Sequence, residues 1–158
     1  MGGGTVDGAD ISLVWHHGGW RIEGGAQVQH ARLEKSFDIR VPDNAHLPVV
    51  PDLSGRIAGT RALSFGEWAG EAGLFVRYTG RARLSLDPGL DRRMGGYATV
   101  DPSLSLGRGG WTFGMFASNL LDSSADSFAF GNPFSVRSTP QFTPLHPRNF
   151  QVTVSRRW

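Results

Sequence analysis

Two adjacent histidines, a spaced pair of glutamates and a cluster of arginines are the residues whose types could do chemistry in this sequence. His16 and His17 stand side by side. A metal site needs imidazoles that converge, whereas neighbouring residues of a strand or turn point apart. The pair therefore reads as turn or interface residues, and His30, His46 and His146 are isolated. Glu67 and Glu71 share one face of an alternating segment. Paired carboxylates do acid–base work in a closed pocket that shifts their pKa. On a solvated face they pair with a cation such as Arg77 or one on a neighbouring strand. Arg81, Arg83, Arg92 and Arg93 gather in one stretch and could meet an anion, or simply keep a loop soluble. No Ser stands in a Gly-x-Ser-x-Gly setting, no Gly-rich loop precedes a helical pattern, and there is no Cys. The expectation is a protein that is not an enzyme, with no catalytic residues, no metal ligands and no cofactors.

The elements that must carry these residues are β-strands. Of 158 residues, 22 are Gly, which is poor in helix interiors. No segment repeats apolar residues at helical spacing, and no apolar run is long enough for a membrane helix. The net charge is +2, almost all cations are Arg, and they are scattered. A nucleic-acid footprint would concentrate them on one element, so no nucleic-acid partner is expected. Met1-Gly2-Gly3-Gly4-Thr5 has no basic region followed by an apolar one, so it is not a secretory signal. An outer-membrane protein needs such a signal, so a membrane reading implies that residues 1–158 are part of a longer chain.

Alternating segments predict seven strands, at residues 10–15, 20–33, 55–63, 68–78, 97–106, 111–121 and 148–158. The connections alternate between short and long. His16-His17-Gly18-Gly19, Ser64-Phe65-Gly66-Glu67 and Gly107-Arg108-Gly109-Gly110 are the short turns. Residues 34–54, 79–96 (with Pro88-Gly89 at the centre) and 122–147 are the long loops. Short turns on one side and long loops on the other are the habit of outer-membrane barrels, as are strands of about ten residues.

The faces agree. Trp20, Ile22, Gly24, Ala26 and Val28 oppose Arg21, Glu23, Gln27 and Gln29. Trp68, Leu74, Val76 and Tyr78 oppose Glu67, Glu71 and Arg77. A polar lumen and a lipid exterior give this pattern, and so does a solvated sheet on a core. The tryptophans discriminate further. Trp15 and Trp20 flank the first short turn, Trp68 and Trp111 follow the second and third, and Trp158 ends the chain. All five fall on the periplasmic side as an aromatic girdle, where an indole keeps its ring in lipid and its N–H wet. Two residues resist. Arg61 shares the face of Ile57 and Leu63, which at mid-depth in lipid would cost about 2–4 kcal/mol. Either the face of Ala58, Thr60 and Ala62 is the outer one, or a bulge resets the parity. Pro102 removes a ladder hydrogen bond inside the fifth strand, which then starts later or carries a bulge.

The last sixty or so residues carry an ordered set of motifs. They are Gly96-Tyr97, the run Trp111-Thr112-Phe113-Gly114-Met115-Phe116-Ala117-Ser118-Asn119-Leu120-Leu121-Asp122, Phe128-Ala129-Phe130-Gly131-Asn132-Pro133, Gln141-Phe142-Thr143-Pro144-Leu145-His146-Pro147-Arg148-Asn149-Phe150, and the terminal Trp158. This set resembles the C-terminus of TonB-dependent outer-membrane receptors, where Asn-Leu-x-Asp closes the penultimate strand and Pro-Arg opens the last. Leu47-Pro48-Val49-Val50-Pro51 is similar to a stretch that precedes a late barrel strand in that family. The resemblance implies an all-β fold: an incomplete antiparallel transmembrane β-barrel segment, with plug domain and N-terminal strands absent from residues 1–158. It implies a place in the outer membrane of a Gram-negative bacterium and TonB-energised uptake of a scarce ligand, a ferric siderophore or similar iron complex. TonB itself would act through the missing N-terminal part. Outer-membrane lipid and lipopolysaccharide are implied partners. So is the barrel-assembly machinery, which would read Phe150, Val152, Val154 and Trp158, with Arg156 departing from the usual apolar pattern. Arg81, Arg83, Arg92 and Arg93 are then candidates to meet lipopolysaccharide or an anionic ferric chelate. The alternatives are a small stand-alone outer-membrane barrel and a soluble β-sandwich binding module, the latter with buried tryptophans.

Overall fold

The computed structural model describes residues 3–35, 41–86, 93–127 and 142–158. Pro88-Gly89, Arg92, Gln141 and the stretch from Phe128 to Pro133 lie outside the described residues. Nine strands are present among the described residues: β1 Gly4–His17, β2 Trp20–Leu33, β3 Leu53–Phe65, β4 Trp68–Thr79, β5 Ala82–Arg83, β6 Arg93–Met94, β7 Tyr97–Arg108, β8 Trp111–Ser118 and β9 Asn149–Arg156. Seven of them form one antiparallel sheet in the order β1-β2-β3-β4-β7-β8-β9, and β5 pairs with β6 separately. The seven expected strands are these seven. The pair β5–β6 inside the second long loop was not expected, because two residues per strand leave no periodic pattern to read.

The short connections are tighter than the sequence suggests. His17 pairs with Trp20, Phe65 with Trp68 and Arg108 with Trp111, which leaves two residues in each turn. Gly18 and Gly19 have φ of 55° and 81°, and Gly109 and Gly110 have 54° and 81°. Two successive positive φ values make a type I′ turn, whose twist matches that of the strands it joins. Because the turns shrink, β1, β3 and β7 run further than expected. β8 instead stops at Ser118, since Asn119 turns left-handed with φ 48°.

The sheet is a single layer. Each of its strands contacts only its hydrogen-bonded neighbours, and no second sheet lies on either face among the described residues. The apolar face is bare: Ile11 and Val152 are each 70% exposed and Phe150 is 67% exposed. A sandwich would have covered them, and would have sequestered the indoles. Among the described residues neither edge strand has a further partner, and the sheet is not closed. Seven antiparallel strands put β1 and β9 in the same direction, so they cannot join each other in antiparallel register. Antiparallel closure would take an odd number of further strands between those two edges.

Register removes both anomalies of the sequence. Arg61 pairs with Trp20, the first residue after the first turn, so it lies at the indole row and not at mid-strand. The parity of β3 never resets, and Leu53, Ile57 and Leu63 stay on the apolar face. β7 also runs unbroken against β4 from Tyr97 to Gly107, with no bulge at Pro102. Its ladder to β8 begins only at Ser103, one residue beyond the proline. The missing N–H therefore falls where β7 has one strand in register instead of two.

Candidate functional site

At the long-loop end the chain builds a second, smaller core. Ala82, Leu84 and Met94 are buried together, and Val49 of the first long loop packs on them. Pro48-Val49 is a turn in which Val49 takes φ 66°, an outlying conformation for a β-branched residue. Its N–H donates to the Arg83 carbonyl at 2.7 Å, so backbone pairing and side-chain burial together hold it there. Gly95 and Gly96 each have φ 74°, and a Cβ on Gly95 would lie 1.9 Å from the Gly80 carbonyl oxygen. Glycine is what lets β6 return so close to the end of β4.

This core presents a cleft of about 240 Å³ lined by His46, Asp52, Arg81, Arg83 and Arg93, with Leu47, Val50 and Ala82 beneath. Arg83 and Arg93 are direct partners across β5–β6. Like charges directly opposite are unfavourable without a counter-ion. Asp52 also lines the cleft, its carboxylate 3.8 Å from His46 Nδ1. Such a cleft suits an anion bulky enough to reach several arginines. Of the four arginines singled out in the sequence, the fold thus gathers Arg81, Arg83 and Arg93.

A buried asparagine ties the third long loop to this end. Asn119 is 4% exposed. Its Nδ2 donates to the carbonyls of Ser123 and His146, both at 2.9 Å, and its Oδ1 accepts from the Ser123 N–H at 2.9 Å. Its own N–H donates to Asp101 Oδ1 at 2.7 Å. Asp122 Oδ1 accepts from the Arg148 N–H at 3.1 Å, and Arg148 Nη2 stands 3.9 Å from Asp122 Oδ2. Asn119 and Asp122 of the Asn-Leu-x-Asp piece and Arg148 of the Pro-Arg piece act as one clasp between the exit of β8 and the entry of β9. In the sequence these residues form a motif with no role attached. Their meeting across 26 or more positions leaves no local signal.

The sheet separates its side chains by polarity. Trp15, Trp20, Trp68 and Trp111 are on the apolar side, near the ends of strands that meet in short turns, and Trp158, beyond the end of β9, has Arg156 over its ring. Phe150, Val152 and Val154 share that face, and Arg156 follows in the same alternation. Trp15, Trp20 and Trp111 are between 41% and 44% exposed. The opposite face carries Arg21 ion-paired with Glu23, the cross-strand pair Arg56 and Arg77, and Glu71. Glu67 sits in its turn and pairs with Arg108 at 2.6 Å. His16 and His17 take opposite faces, opposite Arg21 and Trp20. No three of His, Asp and Glu converge as a metal ligand set would among the described residues.

A single antiparallel sheet, apolar and exposed on one face, polar on the other, and looped at one end only, is the architecture of a barrel-wall segment. Two solved structures share it. The chain superposes on the ferric yersiniabactin uptake receptor FyuA from Yersinia pestis with a TM-score of 0.77 at 20% identity, covering 97% of this chain and 23% of that one. It superposes on the ferric-catecholate import receptor Fiu from E. coli K12 with a TM-score of 0.75 at 22% identity, covering 97% of this chain and 21% of that one. The fold is thus that of a portion of such receptors, and the chain spans less than a quarter of their length. No family model matches the sequence, and no curated protein matches it.

Proposed function

We propose that this chain is part of the wall of an outer-membrane receptor in a Gram-negative bacterium, one that takes up an anionic iron chelate. The observation that carries the reading is the uncovered apolar face, continuous over seven strands and edged by indoles at the short-turn end. A surface of that extent is unstable in water and stable against acyl chains. The basic cleft at the opposite end supplies a docking place for the chelate, and the two solved neighbours are themselves uptake or import receptors. In this reading the remaining strands, the plug and the contact with TonB belong to a part of the receptor outside residues 1–158. β9, with Trp158 just beyond it, is the strand offered to the barrel-assembly machinery, by main-chain pairing with alternate side chains setting the register.

The test uses the full-length protein in its own outer membrane under iron limitation. Uptake of radiolabelled iron is followed from a ferric catecholate and from ferric yersiniabactin. Reversing Arg81→Glu and Arg83→Glu together should lower uptake of the accepted chelate roughly tenfold or more, at unchanged outer-membrane level. Unchanged uptake would remove the cleft from the mechanism. Recovery of the protein from the aqueous fraction as a monomer would overturn the receptor reading itself.

A further inference from the structure

We propose that the arginines stacked on the indoles at the short-turn end form a binding rim for the phosphate of an anionic glycerophospholipid. The inference rests on the reading that the apolar face meets acyl chains. Arg61 lies 4.9 Å from the Trp20 ring centroid, Arg108 lies 5.8 Å from that of Trp68, and Arg156 lies 5.0 Å from Trp111 and 4.1 Å from Trp158. All three arginines are on the apolar face, and from their row towards the long loops that face is uncharged until Asp7 and Arg32. Three cations at one edge of a face that stays uncharged through its middle are placed where a headgroup layer begins.

The stacking explains how they can stand there. An indole face stabilises a guanidinium that has lost part of its water, and it fixes the plane of the fork. The edge of that fork stays free to donate two parallel hydrogen bonds, the geometry that a phosphate accepts. Among the described residues neither Arg61 nor Arg156 has a carboxylate within ion-pair distance, whereas Arg108 is already held by Glu67. Arg61 and Arg156 are therefore the principal donors. Arg108 and Arg156 flank Trp111 from the strands on either side of it, so one indole supports the middle of the rim. Lipopolysaccharide also carries phosphate. The rim, however, is at the end away from the long loops, and short turns face the periplasm in outer-membrane barrels. The leaflet on that side is glycerophospholipid.

The test reconstitutes the full-length protein in phosphatidylcholine vesicles. A fraction of the lipid is then replaced by brominated phosphatidylglycerol or by brominated phosphatidylcholine, and bromine quenches an indole on contact. At low salt, brominated phosphatidylglycerol should quench as though enriched about fivefold around the tryptophans. The preference should approach unity at 1 M salt, where screening acts within about 3 Å. It should also approach unity in the Arg61→Gln, Arg156→Gln double variant, while Arg32→Gln at the other end keeps it. If the double variant does not reconstitute, the salt series on the unaltered protein decides. Equal quenching by both headgroups would overturn the rim and leave the membrane reading standing. No quenching by either lipid would overturn both. Equal enrichment of a brominated lipid A would overturn the assignment to glycerophospholipid.

Discussion

The two ends of the sheet are built by different means. At the short-turn end three hairpins close with two residues each, and the polar backbone is satisfied within the ladder. At the other end the described parts of three long connections meet one another, around a small core at Leu84 and a hydrogen-bonded clasp at Asn119. The first end is specified by residues adjacent in sequence. The second is specified by residues that meet only after the strands have paired. A damaged turn therefore acts locally through strain, whereas a damaged clasp acts through everything it holds.

Substitutions test this contrast. The largest effect is expected on the sheet both ends share. Val152→Arg puts a charge on the apolar face at mid-strand, which costs about 2–4 kcal/mol in lipid. Gln151→Arg, one residue away on the polar face, should be nearly neutral. Heat-modifiable gel mobility of the outer-membrane protein reads both, and equal damage would mean the faces are misassigned.

Next comes the clasp. Asn119→Ala leaves the carbonyls of Ser123 and His146 and the Ser123 N–H without their partner, at a cost of about 1–3 kcal/mol. Hydrogen exchange should quicken in residues 119–127 and 143–149, with the amides around Gly18 and Gly109 unchanged. Uniform quickening at both ends would dissolve the contrast.

The smallest effect is expected at a turn. Gly110→Ala forces a Cβ into a φ of 81° and within 2.8 Å of the Arg157 carbonyl oxygen, for about 1–2 kcal/mol confined to that hairpin. Gly59→Ala is its control, since a Cβ there meets nothing within 4 Å and the φ is ordinary. The glycine replaced there should leave gel mobility unchanged or slightly raise stability.

The same contrast explains what the sequence discloses. Strand number, alternation of connections and the sorting of faces are periodic or local properties, and they are legible in runs such as Trp20 to Val28 and in the paired turn glycines. Arg61 looks misplaced when depth is judged along its own strand. Its true level is set by pairing with Trp20, a property of two strands that neither one states alone. The β5–β6 pair and the clasp are hidden for the same reason. Each is too short to show a period, and each depends on partners from another loop. The basic cluster was visible as a cluster, but that Arg83 faces Arg93 across a ladder, above a buried Leu84, was not.

That the outermost strands β1 and β9 point the same way has a consequence for tandem repetition. A second copy of this segment could follow β9 in antiparallel register only upside down, because its first strand would have to run against β9. Seven more strands would satisfy the pairing rule, but the long loops of one copy would then stand beside the short turns of the other. A ring with all its long loops on one side therefore needs a complement of another design, whose first connection is long where the first one here is short.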